Sequence, residues 1–304
     1  MLSFTQRRNL FGQLAADTST ATLSMADTLM NQAEKQVISK HAWPFLIRQN
    51  PLTLVTTAST QFYQLPANTK KLINVTVLNG TTRYQPREAP SRKYWDYLNQ
   101  QTTYSSNFPE WFYVLNGTVG FWPIPSTSSL TIEINYEITR KDLTVADYTT
   151  GTITTLTNGG TTVVGSGTSW TAAMAGRFIR IDESNTVANN GDGLWYEIAS
   201  VTNSTTLVLV KPYMGVTLAA GGATHTIGQM MVLPDGYHEM VVYRALSQFF
   251  SSSKNPQTAR AQLFEGLYQD LYKSLVDTFS RPTMNPDIEE SDVPMENPNL
   301  YIYS

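Results

Sequence analysis

Cysteine is absent from the 304 residues, and histidine occurs only as His41, His225 and His238. Without cysteine, the chain cannot form disulfide bonds, use a thiolate nucleophile or bind a metal through sulfur. None of the histidines lies in a His-x-x-x-His or His-Glu-x-x-His spacing, so the local sequence predicts no histidine metal site. Long apolar runs are also missing, since no stretch approaches the roughly 20 residues that a membrane helix needs.

The patterns of well-known catalytic sites are missing as well. The Gly165-Ser-Gly-Thr168 segment lacks the first glycine of a nucleophile elbow and lies between predicted strands, so it predicts a turn. Residues 182–185 and 189–192 offer oxygen ligands of the kind that calcium takes, but their spacing does not match a calcium loop. We therefore predict no enzyme, no catalytic residue, no metal and no cofactor. An enzyme acting on cell wall or nucleic acid through Asp182 or Asp192 is an alternative.

Charge is sparse and nearly balanced. Only 15% of residues are charged, 41% are hydrophobic, and the net charge is -3. This composition predicts a globular protein without a global attraction to nucleic acid. The segment Met1–Arg8 lacks the apolar run of a signal peptide, so we expect the chain to be made and kept in the cytoplasm unless it is exported as part of a particle.

The two ends of the chain carry helical patterns. Residues 3–41 and 235–280 place apolar residues three and four positions apart. Ser24 is the predicted N-cap of the second helix, and Asp235 is that of the third. Leucine recurs every four residues in the last helix, and we predict that these leucines face the core: Leu263, Leu267, Leu271 and Leu275. Four such helices are expected to form a bundle.

The middle of the chain favours strands. Residues 111–122 contain two apolar runs joined by Asn116-Gly117, which predicts a tight hairpin. Residues 130–138 alternate apolar and polar side chains, as in a strand with one buried face. Residues 145–230 have little charge and carry further short runs, which predicts a small all-β unit, either a sandwich or a barrel.

These patterns together predict an α+β fold. A helical bundle formed by the N- and C-terminal helices carries the β-hairpin and strand region, and a small all-β domain is inserted into it. Residues 1–144 and 231–281 form the core, and residues 145–230 form the inserted domain, because helical sequence resumes only after them. Residues 282–304 form an extended C-terminal tail.

Two segments are candidates for contacts with other molecules. The first combines basic and aromatic residues, and it fits either a phosphate backbone or a solvated loop that contacts another subunit. The second is the tail, which has five acids, four prolines and no base before an apolar end, so it either folds on a partner or frays. The basic and aromatic residues of the first segment are Arg83, Arg87, Arg92 and Lys93 with Tyr84, Tyr94, Trp95 and Tyr97. The apolar end of the tail consists of Leu300, Tyr301, Ile302 and Tyr303.

This arrangement resembles the head-to-tail connector, or adaptor, proteins of tailed bacteriophages. The resemblance rests on the N-terminal helix pair, on residues 111–138 with Pro123-x-Pro125 and Ile134-Asn-Tyr-Glu137, and on the C-terminal helices with their tail. Residues 151–227 also look like a β module inserted in some phage connectors. Two segments carry that likeness: Gly165-Ser-Gly-Thr-Ser-Trp170 with the following Arg177-Phe-Ile-Arg-Ile181, and Trp195-Tyr-Glu-Ile-Ala-Ser-Val201.

The resemblance implies a structural virion protein at the head-tail junction, assembled in the cytoplasm of a bacterial host. Members of that family form a ring of about twelve copies under the portal, through which double-stranded DNA passes without sequence-specific binding. The expected partners are further copies of the chain, the portal and a tail nozzle, tail tube or fibre. Leu300–Tyr303 would dock onto the portal. No membrane partner is expected.

A carbohydrate-binding or fibre-docking tail component is the alternative function. In that alternative, Trp170, Trp195 and Tyr196 would be exposed and would stack on sugar rings. The opposing expectation is that the same three aromatic residues fill the core of the β unit.

Overall fold

The computed structural model describes residues 1–48, 52–101, 108–126, 130–184, 190–218, 222–252 and 257–279. Helices and sheets both occur in these ranges, so the protein is α+β. The helices are α1 (Phe4–Ala15), α2 (Thr20–Lys40), α3 (Arg92–Asn99), α4 (His238–Ser252) and α5 (Thr258–Phe279). The strands are β1 (Leu52–Val55), β2 (Phe62–Gln64), β3 (Thr69–Asn79), β4 (Thr82–Tyr84), β5 (Arg87–Glu88), β6 (Trp111–Leu115), β7 (Thr118–Trp122), β8 (Thr131–Ile138), β9 (Thr152–Thr155), β10 (Thr162–Ser166), β11 (Phe178–Ile181), β12 (Trp195–Asn203), β13 (Thr206–Leu209) and β14 (His225–Gly228).

Local hydrogen bonds set the start of the first two helices. Ser3 and Gln6 form a capping box at the start of α1, in which each side chain accepts from the backbone of the other. Helix α2 is capped by Ser19 and not by Ser24, so the predicted cap was wrong. The Asp17 carboxylate accepts from the Ser19 backbone N–H at 2.8 Å, which fixes the turn and starts α2 earlier than its apolar stripe indicated.

The last two helices differ from the prediction in detail. Asp235 does not cap α4, because a 3-10 turn over Asp235–Tyr237 precedes that helix. On α5, Leu275 is buried, but Leu263 and Leu267 are exposed, so the predicted leucine core face was wrong. A repeat of four residues advances about 400° around a helix, so successive leucines drift by about 40° and cannot all face one side. Phe264 and Tyr268 occupy the core face instead.

The four end helices share one apolar cluster. Helix α4 packs against α1, α2 and α5, and α1 also packs against α2. Side chains from each helix are buried together, among them Phe11, Met30, Leu246 and Phe264. The two ends of the chain therefore meet in one core.

Residues 52–138 form two four-stranded sheets, in the orders β1-β8-β3-β4 and β2-β7-β6-β5. The predicted hairpin is confirmed, because β6 and β7 pair across Asn116 and Gly117, which have φ angles of 49° and 77°. The predicted strand at 130–138 is also confirmed as β8, with alternating burial. Side chains of both sheets form one cluster that includes Val77, Phe121 and Ile132.

The helix α3 was not predicted. Ser91 caps it by accepting from the Tyr94 backbone N–H at 3.2 Å, and Trp95 and Leu98 face inward. Trp95 lies over Gly120 of β7, where an added Cβ would come within 2.9 Å of Trp95 Cζ2 and 2.6 Å of Phe62 Cε1. Glycine at position 120 therefore allows the helix to lie directly on the sheet.

Residues 148–228 form a curled six-stranded sheet in the order β14-β11-β12-β13-β10-β9. Isolated bridges from Tyr148 to Ile227, from Ile153 to Ala223 and from Leu156 to Leu218 join the β9 side to the β14 side. Apolar side chains inside the curl form a cluster of their own. Strand β14 had no predicted counterpart, because Ile227 is the only apolar side chain in His225–Gly228.

Candidate interaction surfaces

Hydrogen bonds connect the start of α1 to the two chain segments that lead into and out of the curled sheet. We call this contact the joint, and the two segments, at residues 144–147 and at Gln229, the crossings. Ser3 Oγ donates to the Asp147 carboxylate, and the Asp147 backbone N–H donates to Thr5 Oγ1 at 3.0 Å. The Phe4 backbone N–H donates to the Gln229 carbonyl at 3.0 Å. The Gln229 side chain also accepts from the backbone N–H of Thr144 at 2.8 Å. The start of α1 therefore holds both crossings side by side.

Next to this joint, charged side chains are buried. Arg140 Nη1 donates to Glu34 Oε2 at 3.0 Å, and both side chains are almost fully enclosed. The Val232 backbone N–H donates to the other Glu34 oxygen at 3.2 Å. Arg7 is fully buried and donates through Nη2 to Asn31 Oδ1 at 3.1 Å. Four remote segments meet at this network.

Burial governs the ionisation of these groups. It lowers the pKa of the Arg7 guanidinium to about 10, with Glu34 acting in the opposite direction. It also raises the pKa of the Glu34 carboxyl, against the pull of Arg140. Removing one member of such a network leaves an uncompensated buried charge. The sequence offered no local signal for this network, because its members lie far apart in the chain: Glu34 is 106 positions from Arg140 and 198 positions from Val232.

A second contact joins the curled sheet to the rest of the molecule. Arg48, just after the 3-10 turn at Pro44–Leu46, donates to Glu197 Oε1 at 2.9 Å. This pair crosses an open groove of about 860 Å³ whose walls include Leu52 of β1 and Leu209 of β13. Four titratable side chains line the groove beside its apolar walls: Arg48, Tyr136, Glu197 and Lys211.

The four basic residues of the predicted subunit-contact loop do not lie in a loop. Arg83 belongs to β4, Arg87 to the edge strand β5, and Arg92 and Lys93 begin α3, so the loop assignment was wrong. All four are exposed. Arg92 pairs with Asp96 at 2.8 Å, and Arg83 lies 3.9 Å from Glu133.

Lys93 and Arg87 are the two basic residues of this group that form no ion pair within the described part of the chain. In the described ranges, no carboxylate lies within 4 Å of either residue. Lys93 and Tyr97 are four positions apart on α3 and share its outer stripe, and Tyr97 is 57% exposed. We call Arg87, Arg92, Lys93 and Tyr97 the α3 surface. It combines positive charge with an exposed aromatic ring.

The three candidate sugar-contact residues do not form one exposed surface. Trp170 and Tyr196 are buried in the cluster inside the curled sheet. Trp195 is half-buried, and the Arg180 guanidinium lies 5.1 Å from its ring centroid. The aromatic faces that sugar stacking requires are therefore occupied, except for part of Trp195.

The end of the curled sheet farthest from α1 carries an exposed apolar patch. Strand β11 begins near the joint, where Phe178 pairs with Gly228, and ends near Gly191, whose N–H donates to the Asp182 carbonyl. Beyond it lie three of the most exposed apolar side chains of the described residues, with exposed fractions of 60%, 71% and 54%: Leu194, Met214 and Val216.

Asp192 and Tyr196 organise this patch. Asp192 Oδ1 accepts from the Leu194 backbone N–H at 3.1 Å, and its other oxygen accepts from the Tyr196 hydroxyl. The Tyr196 oxygen accepts from the Met214 backbone N–H at 3.2 Å. Exposed Glu183 lies at the rim of a shallow cavity of about 520 Å³ at this end. We call Glu183, Asp192, Leu194, Met214 and Val216 the tip.

The three histidines are spread over the fold. His225 is buried beside Trp170, with ring centroids 5.7 Å apart, and its ring nitrogens have no hydrogen-bond partner among the described residues. Burial lowers the pKa of His225 to about 4. His238 is also buried, and burial lowers its pKa to about 4, although Leu233 and Leu2 backbone groups bond both ring nitrogens. His41 is exposed.

No grouping of three or more potential metal ligands occurs within the described ranges. Asn185 and Asn189 of the calcium-like segments lie outside these ranges, as does the whole tail with Leu300, Tyr301, Ile302 and Tyr303. No helix in the described part of the chain is both long enough and apolar enough to cross a membrane.

The chain was compared with the models of known protein families. The family model described as SU10 adaptor protein matches residues 6–158. The matched range runs from α1 through the two four-stranded sheets to the beginning of the curled sheet. It contains Arg7, Glu34 and Arg140 of the buried network and the whole α3 surface. No curated protein matches the chain.

Proposed function

The chain belongs to the SU10 adaptor protein family, and from this membership we propose that it is a structural virion protein that connects a phage head to its tail. The observation that carries the proposal is the family match over residues 6–158, which spans half of the chain. A structural role is also consistent with the scattered positions of the histidines and carboxylates, which give no catalytic arrangement in the described ranges.

In this proposal, about twelve copies form a ring under the portal. The end helices α1, α2, α4 and α5 act as a bundle that forms the ring wall. Their shared core, with Arg7, Glu34 and Arg140 enclosed beside it, supports a rigid wall. Rigidity matters because a connector transmits force between head and tail, and a wall that opened locally would leak the packaged genome.

The proposed ring surrounds double-stranded DNA without gripping it. A net charge of -3 per chain is consistent with that role, because many phosphate contacts would hold the duplex and slow its passage. The four exposed basic residues then serve contacts between protein chains, where a few charges set orientation. Residues 145–230 act as an inserted domain that contacts a tail nozzle, tail tube or fibre.

The C-terminal tail is the proposed portal contact. Residues 282–304 follow α5, and Leu300–Tyr303 form the apolar end of an acidic segment. An acidic spacer with an apolar end is the composition of a segment that orders when it adds to a partner's sheet edge or groove.

Binding to the portal tests both levels of this proposal. The full chain is immobilised and exposed to the portal ring of the same phage, beside a variant that lacks residues 283–304. We expect the full chain to bind and the truncated chain to bind at least about tenfold more weakly, with an unchanged melting temperature. If the truncated chain binds equally well, the tail assignment is wrong. If the full chain does not bind, the adaptor assignment is wrong.

A further inference from the structure

Two exposed patches on the chain are opposite in charge, and each also carries exposed apolar or aromatic side chains. The tip carries the carboxylates of Glu183 and Asp192 beside three exposed apolar side chains. The α3 surface carries two basic residues without a described carboxylate partner, Arg87 and Lys93, and the exposed ring of Tyr97. One patch is acidic and aliphatic, and the other is basic and aromatic.

Neither patch is explained by the packing of a single chain. Exposed apolar side chains that lie together on a soluble surface mark a contact site more often than scattered ones do. Met214 and Leu194 are held in place by the hydrogen bonds from Asp192 through Tyr196, so this exposure belongs to an ordered surface. Helix α3 is likewise fixed, because Trp95 is buried over Gly120 and stacks on Tyr113 at 5.7 Å.

The two patches lie on different sheets and do not touch within one chain. The tip is at the far end of the curled sheet, whereas α3 covers the β2-β7-β6-β5 sheet. A closed ring of identical chains needs this arrangement, since each copy must present two different patches that fit each other. An interface of this type places a patch of one copy on the other patch of the next.

We propose that the tip of one copy binds the α3 surface of a neighbouring copy. This inference rests on the proposed ring. Glu183 lies opposite Arg87 and Lys93 in the contact, and Leu194, Met214 and Val216 pack against Tyr97. Charge complementarity selects the second copy as the occupant, because the chain itself carries a basic and aromatic surface that matches the acidic and apolar tip.

Charge reversal on either side tests this contact. The tip variant is Glu183→Lys with Met214→Lys, and the α3 variant is Arg87→Glu with Lys93→Glu. A control variant, Lys71→Glu with Lys211→Glu, makes the same charge change as the α3 variant at exposed residues of β3 and of the segment after β13. The particle mass of each variant is measured and its particles are imaged, alone and with the portal ring. Only variants whose melting temperature equals that of the natural chain are compared.

Each charge-reversed variant alone should need at least about a tenfold higher protein concentration to bring half of its chains into rings, because like charges then face each other across the contact. An equal mixture of the two variants should recover rings, since alternating copies again pair opposite charges. The control should assemble as the natural chain does. Intact rings from either reversed variant alone, or a mixture that does not recover, would overturn the contact.

Cysteine crosslinking gives a second readout, because the natural chain has no cysteine. A chain with Tyr97→Cys and Met214→Cys should form intermolecular disulfide-linked ladders under oxidation, and neither single variant should form ladders beyond a dimer. Ladders from the double variant support the contact, and their absence in assembled rings contradicts it. A natural chain that forms no ring with or without portal would instead overturn the proposed function itself.

Discussion

The helical region and the β regions enclose polar groups in different ways. Near α1 and α2, the buried polar groups are charged and come from remote segments, as in the contact between Glu34 and Arg140. Inside the curled sheet, His225 is buried as a neutral ring beside Trp170, and neither side chain's ring nitrogens find a partner among the described residues. Buried charged side chains therefore connect distant parts of the chain in the helical region, whereas the packing of neutral side chains fills the interior of the curled sheet.

The difference follows from what each region must hold together. The helical region holds together two chain ends and the two crossings. A buried ion pair with several hydrogen bonds forms only when these segments take one particular arrangement. The curled sheet closes through neighbouring strands, so backbone ladders and apolar side chains suffice. Three substitutions test the comparison, beginning with the largest expected effect.

Replacing Glu34 by Ala should reduce the free energy of unfolding by about 3 to 5 kcal/mol, because Arg140 and Arg7 would remain buried without their carboxylate. Urea unfolding followed by circular dichroism measures this loss. Asp277→Ala, at an exposed position of α5, is the control and should change stability by less than about 0.5 kcal/mol. A loss of unfolding free energy below about 1 kcal/mol for Glu34→Ala would mean that the buried charge network does not hold these segments of the chain together.

Acid should destabilise the curled sheet through His225. Its pKa is lowered from 6.5 to about 4, so the unfolded chain binds this proton first as the pH falls. The stabilisation from neutral His225 is complete above pH 6.5 and is lost towards pH 4, by roughly 3 kcal/mol. Urea unfolding measures how much the free energy of unfolding falls between pH 7 and pH 4.5. His225→Leu should make this fall smaller, because it removes the buried imidazole, whereas the control His41→Leu should leave it unchanged. Equal pH dependence in the natural chain and in His225→Leu would contradict the assignment.

The smallest effect concerns packing alone. Gly120→Ala places a methyl group against Phe62 and Trp95, and it should cost about 1 to 3 kcal/mol and shift the tryptophan fluorescence as α3 moves. The matched control is Gly266→Ala in the middle of α5, where nothing lies within 4 Å of the added Cβ. That control should stabilise the chain by about 0.5 to 1 kcal/mol. Thermal unfolding separates the two, and effects of the same sign would contradict the packing argument.

Local sequence was sufficient where a few neighbouring residues determine the structure. The hairpin at Asn116-Gly117 and the alternating strand β8 were predicted from such patterns, as were the positions of four helices. Prediction was wrong where a neighbouring signal competed, as when Asp17 fixed an earlier start for α2 than Ser24 indicated. Helix α3 was missed because its eight residues show only two inward side chains, Trp95 and Leu98.

The candidate surfaces were harder to predict, because exposure depends on the whole fold. Trp170 and Trp195 belong to the same predicted all-β unit, yet only Trp170 is buried inside the curl. Leu194 lies on one segment and Met214 and Val216 on another, and the Tyr196 hydroxyl links the two segments, so no local pattern marks the tip. The basic residues were found from composition, but their placement on β5 and α3 required the structure.

The proposed adaptor role depends above all on ring formation, which the mass of the purified chain reveals when it is measured alone and after mixing with the portal ring of its phage. We expect a closed ring of about a dozen copies that attaches to the portal, either preformed or assembled on it. A chain that stays monomeric and does not associate with the portal at concentrations well above those of virion assembly would rule out the adaptor role.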